Sequence, residues 1–269
     1  MRYPPTSTAL STNLPAITTN PPSDVLLGPS LGPGSASRPS RPTAIILDLF
    51  GTLVAAPSAA ERTAAAAQVA EVLSVPWTAA ELALASSWRV RHDGQLRSTS
   101  DVAALLIAHC DAPASCADEL ERLLAQLARN RLQAEATLLQ ALKELRRAGC
   151  RLTLLSDASP DIAEAWSSSD LAPHFDAVMF SCRLGAVKPA PQLYSAVLKA
   201  TGATPEQVLY CGDGGGDELA GAERAGMRAV LVARRGGADC LAFGETTWTG
   251  RAIPEVEALP ALLSTWRER

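Results

Sequence analysis

The chain has 269 residues, of which 47% are hydrophobic and 4% aromatic, and its formal net charge is −4. This length allows one or two domains with a substantial core. The slightly acidic balance, with no basic stripe, argues against a nucleic-acid partner. No apolar run is as long as a membrane-spanning helix requires, so we expect no membrane partner.

Residues 1–42 are rich in Pro, Ser, Thr, Gly and Asn and contain few large apolar side chains. Such a segment buries too little surface to offset the entropy lost on ordering, so we predict a disordered tail. It lacks the charged start and continuous apolar stretch of a signal peptide, which favours a cytoplasmic protein. The six cysteines form no CxxC pair, so a zinc site is unsupported and reduced thiols are expected.

The first predicted strand, Thr43–Leu49, is an apolar run that contains one carboxylate, Asp48, near its end. Gly51 and Thr52 then turn the chain. Open α/β sheets bind ligands at the carboxyl ends of parallel strands. Asp48 is therefore the strongest nucleophile candidate, although a turn-capping role for this Asp is an ordinary alternative.

An Ala- and Leu-rich region follows, with helical patterns over 59–74, 78–91, 100–109 and 117–132. The motifs Ser58-x-x-Glu61 and Thr78-x-x-Glu81 both fit a capping box at a helix start. No convincing strand interrupts the region, so we predict a helical cap over 57–133. An insert at this place would hang over the end of the first strand, exclude water and shape the pocket.

Strands and helices then alternate with short links, which favours an α/β fold with a doubly wound parallel sheet. The predicted core comprises residues 43–56 and 134–269. Strands are expected at 151–156, 177–181, 207–211 and 228–233. Helices are expected to open at Thr137 and Ser159-Pro160, and to span Pro191–Ala200, Asp217–Ala225 and 254–267.

Polar segments follow four of the predicted strands, and they should converge on one edge of the sheet. They are Asp48-Leu-Phe-Gly-Thr52, Ser156-Asp157, Lys188-Pro189 and Gly212-Asp213-Gly-Gly-Gly-Asp217-Glu218. The triple Gly does not match a dinucleotide-binding motif, because the GxGxxG spacing is not met.

These four segments, in this order, resemble the haloacid dehalogenase superfamily of hydrolases, in the branch with a helical cap after the first motif. The resemblance covers about residues 43–266. It is closest in Lys188-Pro189-Ala-Pro191-x-x-Tyr194 and in the later Tyr210-Cys-Gly212-Asp213 and Gly221-Ala222-x-x-Ala225-Gly226-Met227.

The resemblance implies a role for each segment. Asp48 would attack the substrate and form a covalent aspartyl intermediate. Thr52 and Ser156 would donate hydrogen bonds to the transferring group, and Lys188 would offset negative charge. Mg2+ would be held by the residues Asp48, Phe50 (through its backbone carbonyl), Asp213 and Asp217, a sparse oxygen set of the kind this ion prefers. Ser156, Asp157 and the cap residue Arg91 are the candidate substrate-binding residues.

Each of these residues also has an ordinary structural explanation. Ser156 is often a turn or N-cap residue, Lys188 a solvated charge, and Asp213 and Asp217 caps of the following helix. The stretch Trp88-Arg-Val-Arg91-His92 could contact an anionic substrate or be solvated helix surface. Only the ordered combination of four motifs favours a catalytic site.

Phe50 occupies the position where phosphatases of this superfamily carry a second Asp, the acid that protonates the leaving alkoxide. That acid is worth about 10²–10⁴-fold in rate. Dehalogenases of the superfamily also lack it, since halide leaves without a proton and without metal, but they carry an Arg early in the cap. The corresponding position here is Ala79, and the nearest arginines are Arg62 and Arg89.

The acidic fourth motif favours a phosphatase instead, because close carboxylates cannot all stay ionised without a cation or shifted pKa values, and a bound Mg2+ resolves this. The first hypothesis is therefore a Mg2+-dependent phosphatase that acts on a small, anionic phosphorylated molecule. The alternatives are a metal-independent 2-haloacid dehalogenase and a catalytically weak ligand-binding protein.

Overall fold

One sheet of six parallel strands forms the centre of the chain, in the order β3-β2-β1-β4-β5-β6. The computed structural model describes residues 41–233 and 248–266. The strands are β1 (Ala44–Leu47), β2 (Arg151–Ser156), β3 (Ala177–Phe180), β4 (Val208–Gly212), β5 (Arg228–Val232) and β6 (Ala252–Ile253). The α/β prediction with a doubly wound parallel sheet is confirmed.

Strand β1 lies inside the sheet, with β2 on one side and β4 on the other. Ala44 pairs with Arg151 of β2 and with Val208 of β4. All four residues of β1 are fully buried. A strand covered on both faces reads as a continuous apolar run rather than an alternating one, as Ala44–Leu47 does.

Eleven α-helices accompany the sheet in the described ranges. They are α1 (Ala59–Leu73), α2 (Trp77–Ser86), α3 (Trp88–His92), α4 (Thr99–His109), α5 (Ala117–Arg131), α6 (Ala136–Arg147), α7 (Pro160–Ala165), α8 (Ser181–Leu184), α9 (Pro191–Thr201), α10 (Glu218–Arg224) and α11 (Leu259–Ser264). None of the described helices is both long and apolar enough to cross a bilayer.

Each face of the sheet has its own apolar core. Ile45 and Leu47 pack in a cluster that includes residues of α6, α7 and α11. Ala44 and Ile46 pack in a second cluster with residues of α9 and α10. Successive side chains of a strand point to opposite faces, and this alternation assigns each residue to its layer.

Helices α1 to α5, here called the helical insert, lie between β1 and α6 in the chain. They contain a third apolar cluster built from α1, α2, α4 and α5. The insert also contacts the core directly, since Thr99 at the start of α4 donates from its hydroxyl to Glu164 Oε2 of α7 at 2.5 Å. The helical insert occupies the predicted place, while the exact boundaries 57 and 133 stay a prediction.

The helix-start predictions had mixed outcomes. Ser58 and Glu61 form the predicted capping box, and Ser159 is the N-cap before Pro160. The Thr78 capping box is wrong, because α2 begins at Trp77 after Pro76 and Thr78 lies within the helix. The helix predicted to open at Thr137 begins at Ala136, with Glu135 as its N-cap.

Several predictions at the ends of the chain also need adjustment. The final helix is shorter than 254–267, and strand β6 was not predicted. The predicted disordered tail lies outside the described residues except for residues 41 and 42. Cys240 also lies outside them, and the five described cysteines are free thiols.

Candidate active site at the carboxyl edge of the sheet

The four polar segments converge on one cavity of about 540 Å³. Asp48, Ser156, Lys188 and Asp213 all line it, and residues of the helical insert form the opposite wall. This volume lies within the range of small-molecule sites. The predicted convergence of the loops after β1, β2 and β4 is therefore observed.

A tight loop positions Asp48. The backbone N–H groups of Leu53 and Val54 donate to the carbonyl of Leu49 at 2.8 and 3.0 Å, and Gly51 N donates to Val54 O at 2.7 Å. Gly51 has φ of +80°, and a Cβ atom built there would collide with the Asp213 carboxylate. A glycine is needed at this point because the loops after β1 and β4 touch each other.

A buried ammonium links the two ends of the site. Lys188 Nζ lies 2.6 Å from Asp48 Oδ1 and 2.5 Å from Glu218 Oε2, and only 6% of its side chain is exposed. The backbone N–H of Lys188 donates to both carboxylate oxygens of Asp157, at 3.0 and 3.2 Å. Asp157 thus holds the segment that delivers the ammonium.

The buried charges shift one another's protonation. Burial raises the pKa of Asp48, Lys188 opposes this rise, and the nearby carboxylates Glu218 and Asp213 add to it. Burial alone would lower the pKa of Lys188, but Asp48, Glu218 and Asp157 outweigh burial and the pKa is raised. Lys188 therefore remains a cation, and it favours the ionised form of Asp48 that a nucleophile requires.

Glu218, rather than the predicted Asp217, completes the acidic cluster. Oxygens of Asp48, Asp213 and Glu218 lie within 4.8 Å of one another. Asp217 is exposed, with φ of +57° as the N-cap residue of α10. The left-handed backbone of Gly216 and Asp217 turns the chain so that Glu218, fully buried, faces the site.

Glu218 is held by several hydrogen bonds besides the Lys188 contact. Its Oε2 accepts from the Tyr210 hydroxyl at 2.7 Å, and its Oε1 accepts from Gly214 N at 3.0 Å. The Tyr194 hydroxyl donates to its backbone carbonyl at 2.9 Å. These partners fix Glu218 and the glycine turn that carries Asp213.

The donor set of the cluster fits a hard divalent cation such as Mg2+. It consists of carboxylate oxygens, and Mg2+ takes one or two carboxylates while keeping several waters. Asp213 Oδ1 accepts from Gly215 N at 2.9 Å. Among the described residues, no backbone N–H donates to the Phe50 carbonyl, so this oxygen is available as the predicted third ligand.

The remaining predicted residues differ in whether they line the cavity. Ser156 is buried and lines it, and its hydroxyl makes only a 3.5 Å contact, to the Asp157 carbonyl. Thr52 is fully buried and does not line the cavity, and its Oγ1 has no hydrogen-bond partner among residues 41–233 and 248–266. Phe50 lines the cavity and packs partly against the core.

Arg91 lines the cavity from the helical insert, and its contact with a substrate stays a prediction. His92 lines it too, but its ring stacks on Trp88 with centroids 4.4 Å apart. Burial lowers the pKa of His92 to about 3. His92 is therefore neutral near pH 7 and cannot supply a positive charge to an anion.

Sequence reasoning missed Glu218 and Arg131. Glu218 follows Asp217 directly, and the turn made by three consecutive glycines decides which of the two carboxylates faces inward. Arg131 lies at the end of α5 and lines the cavity. A cation in the last turn of a helix is an ordinary surface feature. Nothing in the neighbouring sequence therefore marks Arg131 as a cavity residue.

Two glycine substitutions test the contact between the loops after β1 and β4. Gly51→Ala and Gly149→Ala both place a Cβ at positive φ, which costs about 1–2 kcal/mol. Only Gly51 meets Asp213, whereas a Cβ at Gly149 meets nothing within 4 Å. We expect Gly51→Ala to lower the free energy of unfolding by at least about 1 kcal/mol more than Gly149→Ala, measured by denaturant titration. Equal losses would contradict the contact.

Asp157 should make stability depend on pH. Burial raises its pKa to about 6, while Lys188 opposes the rise. The native carboxyl therefore holds its proton more tightly than the unfolded one, and its contribution to stability is full below about pH 4 and lost as pH rises to about 6. In Asp157→Asn, the amide oxygen still accepts from Lys188 N. Between pH 4 and 7, we expect unfolding free energies to move in favour of this variant by about 1–3 kcal/mol.

Urea titrations across this pH range measure the difference, with Asp217→Asn at an exposed position as the control. A difference between the wild type and Asp157→Asn that stays constant with pH would show that Asp157 has no raised pKa.

Solved structures share this fold. An L-2-haloacid dehalogenase from Xanthobacter autotrophicus aligns with a TM-score of 0.58 and 19% identity, covering 84% of this chain and all of that one. A HAD phosphatase from Thermococcus onnurineus aligns with a TM-score of 0.59 and 20% identity, covering 83% of this chain and 99% of that one. At such identities the likeness establishes the fold alone.

Curated proteins match over a shorter stretch. A phosphoserine phosphatase from Thermus thermophilus is 40% identical over 94 residues, which are 35% of this chain and 38% of that protein. A bifunctional epoxide hydrolase 2 from Sus scrofa is 36% identical over 100 residues, 35% of this chain and 18% of that protein. The chain thus matches less than half the length of each of these relatives.

The family match covers more of the chain. Residues 42–226 match the family described as haloacid dehalogenase-like hydrolase. This stretch contains the strands β1 to β4, the helical insert and all four polar segments. The chain therefore belongs to the haloacid dehalogenase-like hydrolases.

Proposed function

We propose that this hydrolase is a Mg2+-dependent phosphatase that uses Asp48 as its nucleophile on a small phosphorylated molecule. The observation that carries this proposal is the close group of Asp48, Asp213 and Glu218, whose carboxylate oxygens lie within 4.8 Å of one another, with Lys188 bound to Asp48 and Glu218. The three carboxylates bring up to three negative charges close to one another when all are ionised. A divalent cation balances that charge, and a metal and an ammonium together suit a phosphoryl group.

The first step transfers the phosphoryl group to the enzyme. A carboxylate oxygen of Asp48 attacks phosphorus while the bond between phosphorus and the ester oxygen breaks, and the electron pair leaves with that oxygen. Lys188 binds Asp48 Oδ1, which leaves Oδ2 without a hydrogen bond from the described residues. Oδ2 is therefore the oxygen we assign to the attack.

The second step regenerates the enzyme. Water attacks the phosphorus of the aspartyl phosphate, the bond to the Asp48 oxygen breaks, and inorganic phosphate leaves. Lys188 and the Ser156 hydroxyl would donate to the phosphoryl oxygens in both steps. Such preorganised donors stabilise the charge that develops in the transition state more than they stabilise the ground state.

The metal would be held by Asp48, Asp213 and the Phe50 carbonyl, with the Glu218 carboxylate beside it. When bound, Mg2+ would neutralise charge on the transferring phosphoryl group. Glu218 already accepts three hydrogen bonds through its two side-chain oxygens. We therefore assign to Glu218 the role of positioning Lys188 and the turn that carries Asp213.

Phe50 restricts the substrates, because it cannot protonate a leaving alkoxide. A substrate must either have a good leaving group or receive a proton from another group. Asp157 lines the cavity, and its pKa of about 6 leaves a fraction of it protonated near neutral pH. It is the candidate donor among the sheet-side residues.

Phe50 also favours a second candidate function, metal-independent hydrolysis of 2-haloacids. Halide leaves without a proton, so this chemistry needs no acid at position 50. Chloride release from 2-chloropropionate in the presence of EDTA would support it. The absence of release from several haloacids would remove it.

A pair of aspartates tests the metal proposal. We expect Asp213→Asn to raise the Mg2+ concentration for half-maximal phosphate release by about 100-fold or more, because it removes a charged ligand. Asp217→Asn, four residues away and exposed, should leave that concentration within about threefold of the wild type, since it does not touch the cluster. The readout is phosphate release from a panel of small phosphate esters at varied Mg2+.

Three outcomes would overturn this proposal. Activity that EDTA does not affect would remove the metal. Equal effects of the two substitutions would remove the assignment of Asp213. No phosphate release from any ester would remove the phosphatase itself.

Phe50→Asp tests whether the lack of an acid at position 50 limits the hydrolysis of alkyl phosphates. An Asp here would face the cavity, and we expect it to raise kcat for alkyl phosphates by about 10²-fold or more. Hydrolysis of p-nitrophenyl phosphate should change little, because nitrophenolate departs without a proton. Phe50→Asn is the control, since it changes size and polarity but cannot donate a carboxyl proton. An unchanged alkyl phosphate rate would show that another group already supplies the acid.

A further inference from the structure

The wall that the helical insert contributes to the cavity carries excess positive charge. Its arginines are Arg62, Arg89, Arg91 and Arg131, and the two carboxylates that face the cavity away from the nucleophile are Glu81 and Asp161. His92 lies on the same wall and is neutral. Arg89 is exposed and pairs with Asp93 at 3.5 Å.

Arg131 is a partly buried cation that lines the cavity. Among the described residues it makes neither a hydrogen bond nor an ion pair within 4.0 Å. Burial lowers its pKa, Asp161 and Glu61 oppose this, and Arg62 adds to the lowering. Buried charges are normally paired, because removing a charge from water is costly.

Arg91 is oriented without being neutralised. Its Nε donates to Ser87 Oγ at 3.1 Å and its Nη2 donates to the Leu84 carbonyl at 2.8 Å. Both acceptors are uncharged groups of the insert, so they fix the guanidinium but leave its charge in place. Burial lowers its pKa, and the Arg131 charge adds to this effect.

Asp161, the second residue of α7, is the carboxylate that acts electrostatically on both arginines. No ion pair within 4.0 Å joins it to either of them in the described ranges. Its Oδ1 is buried and accepts no hydrogen bond from the part of the chain that the structure describes. Arg91, Arg131 and Asp161 together carry one net positive charge, which a carboxylate ligand would balance.

We propose that Arg91 and Arg131 form a second subsite, which binds a carboxylate carried by the leaving part of the substrate. This inference rests on the proposed phosphatase function and narrows the substrates to phosphate monoesters of hydroxy acids. The phosphoryl group would lie at Asp48 and Lys188, and the carboxylate on the insert side. An Arg fork fits a carboxylate through two parallel hydrogen bonds, which gives selectivity as well as affinity.

Two phosphonates that cannot be hydrolysed test the subsite by binding alone. 3-Phosphonopropionate and propylphosphonate differ in a terminal carboxylate against a methyl group. We expect calorimetry with Mg2+ present to show that the full chain binds the carboxylate compound about 10- to 100-fold more tightly, as charge-assisted hydrogen bonds provide. Arg131→Met should remove this preference.

Arg129→Met is the matched control. It makes the same change of charge on the same helix, but Arg129 is exposed and donates only to Gln126. It should keep the full preference. Arg131→Lys keeps the charge but loses the two parallel N–H donors of the guanidinium, so it should give an intermediate preference. It serves as a second variant in case Arg131→Met fails to fold.

Equal binding of the two phosphonates to the wild type would overturn the subsite, and so would a preference that survives in Arg131→Met. The phosphatase proposal fails separately, by the absence of phosphate release from every ester. A carboxylate preference without any phosphate release would therefore retain the subsite and reject the phosphatase.

Discussion

The buried ammonium of Lys188 is the interaction on which the site depends. It joins Asp48 at the end of β1 to Glu218 at the start of α10, at 2.6 and 2.5 Å. Burying these charges costs several kcal/mol per ion, which is recovered only when the geometry and additional hydrogen bonds are good. Tyr210 and Gly214 supply those bonds to Glu218. Loss of Lys188 would leave the buried carboxylates of Asp48 and Glu218 without the ammonium that binds both.

The parallel sheet explains why such residues meet. Strands β1, β2 and β4 lie side by side and run in the same direction, so the loops after them open on one edge. The helical insert then covers this edge from the opposite side. In the proposed mechanism the catalytic groups come from the sheet, whereas the groups that would contact the rest of a substrate come largely from the helical insert. With this arrangement, one core fold can act on many different substrates.

Most of the fold could be predicted because its signals are local. Apolar runs followed by polar turns marked five of the six strands, and the order of the four segments placed Asp48, Ser156, Lys188 and Asp213 on one cavity. The two-residue strand β6 was missed because it carries no apolar run of its own.

The choice between Asp217 and Glu218 could not be predicted, since it depends on two successive left-handed residues in a glycine turn. Arg131 could not be predicted either. Its proposed role rests on the lack of a counter-ion for it among the described residues, which depends on how the helical insert packs and follows from no sequence pattern. Spacing along the chain therefore predicts well which sheet-side residues line the cavity, and predicts the residues of the opposite wall poorly.

In the proposed mechanism, Asp48 becomes covalently phosphorylated during turnover. The most direct measurement is an acid quench of the working enzyme, followed by mass spectrometry of the peptide that contains Asp48. We predict a phosphoryl group on Asp48 in the wild type and no phosphate release by Asp48→Asn. Release of phosphate by Asp48→Asn at the wild-type rate, in a folded protein, would contradict it.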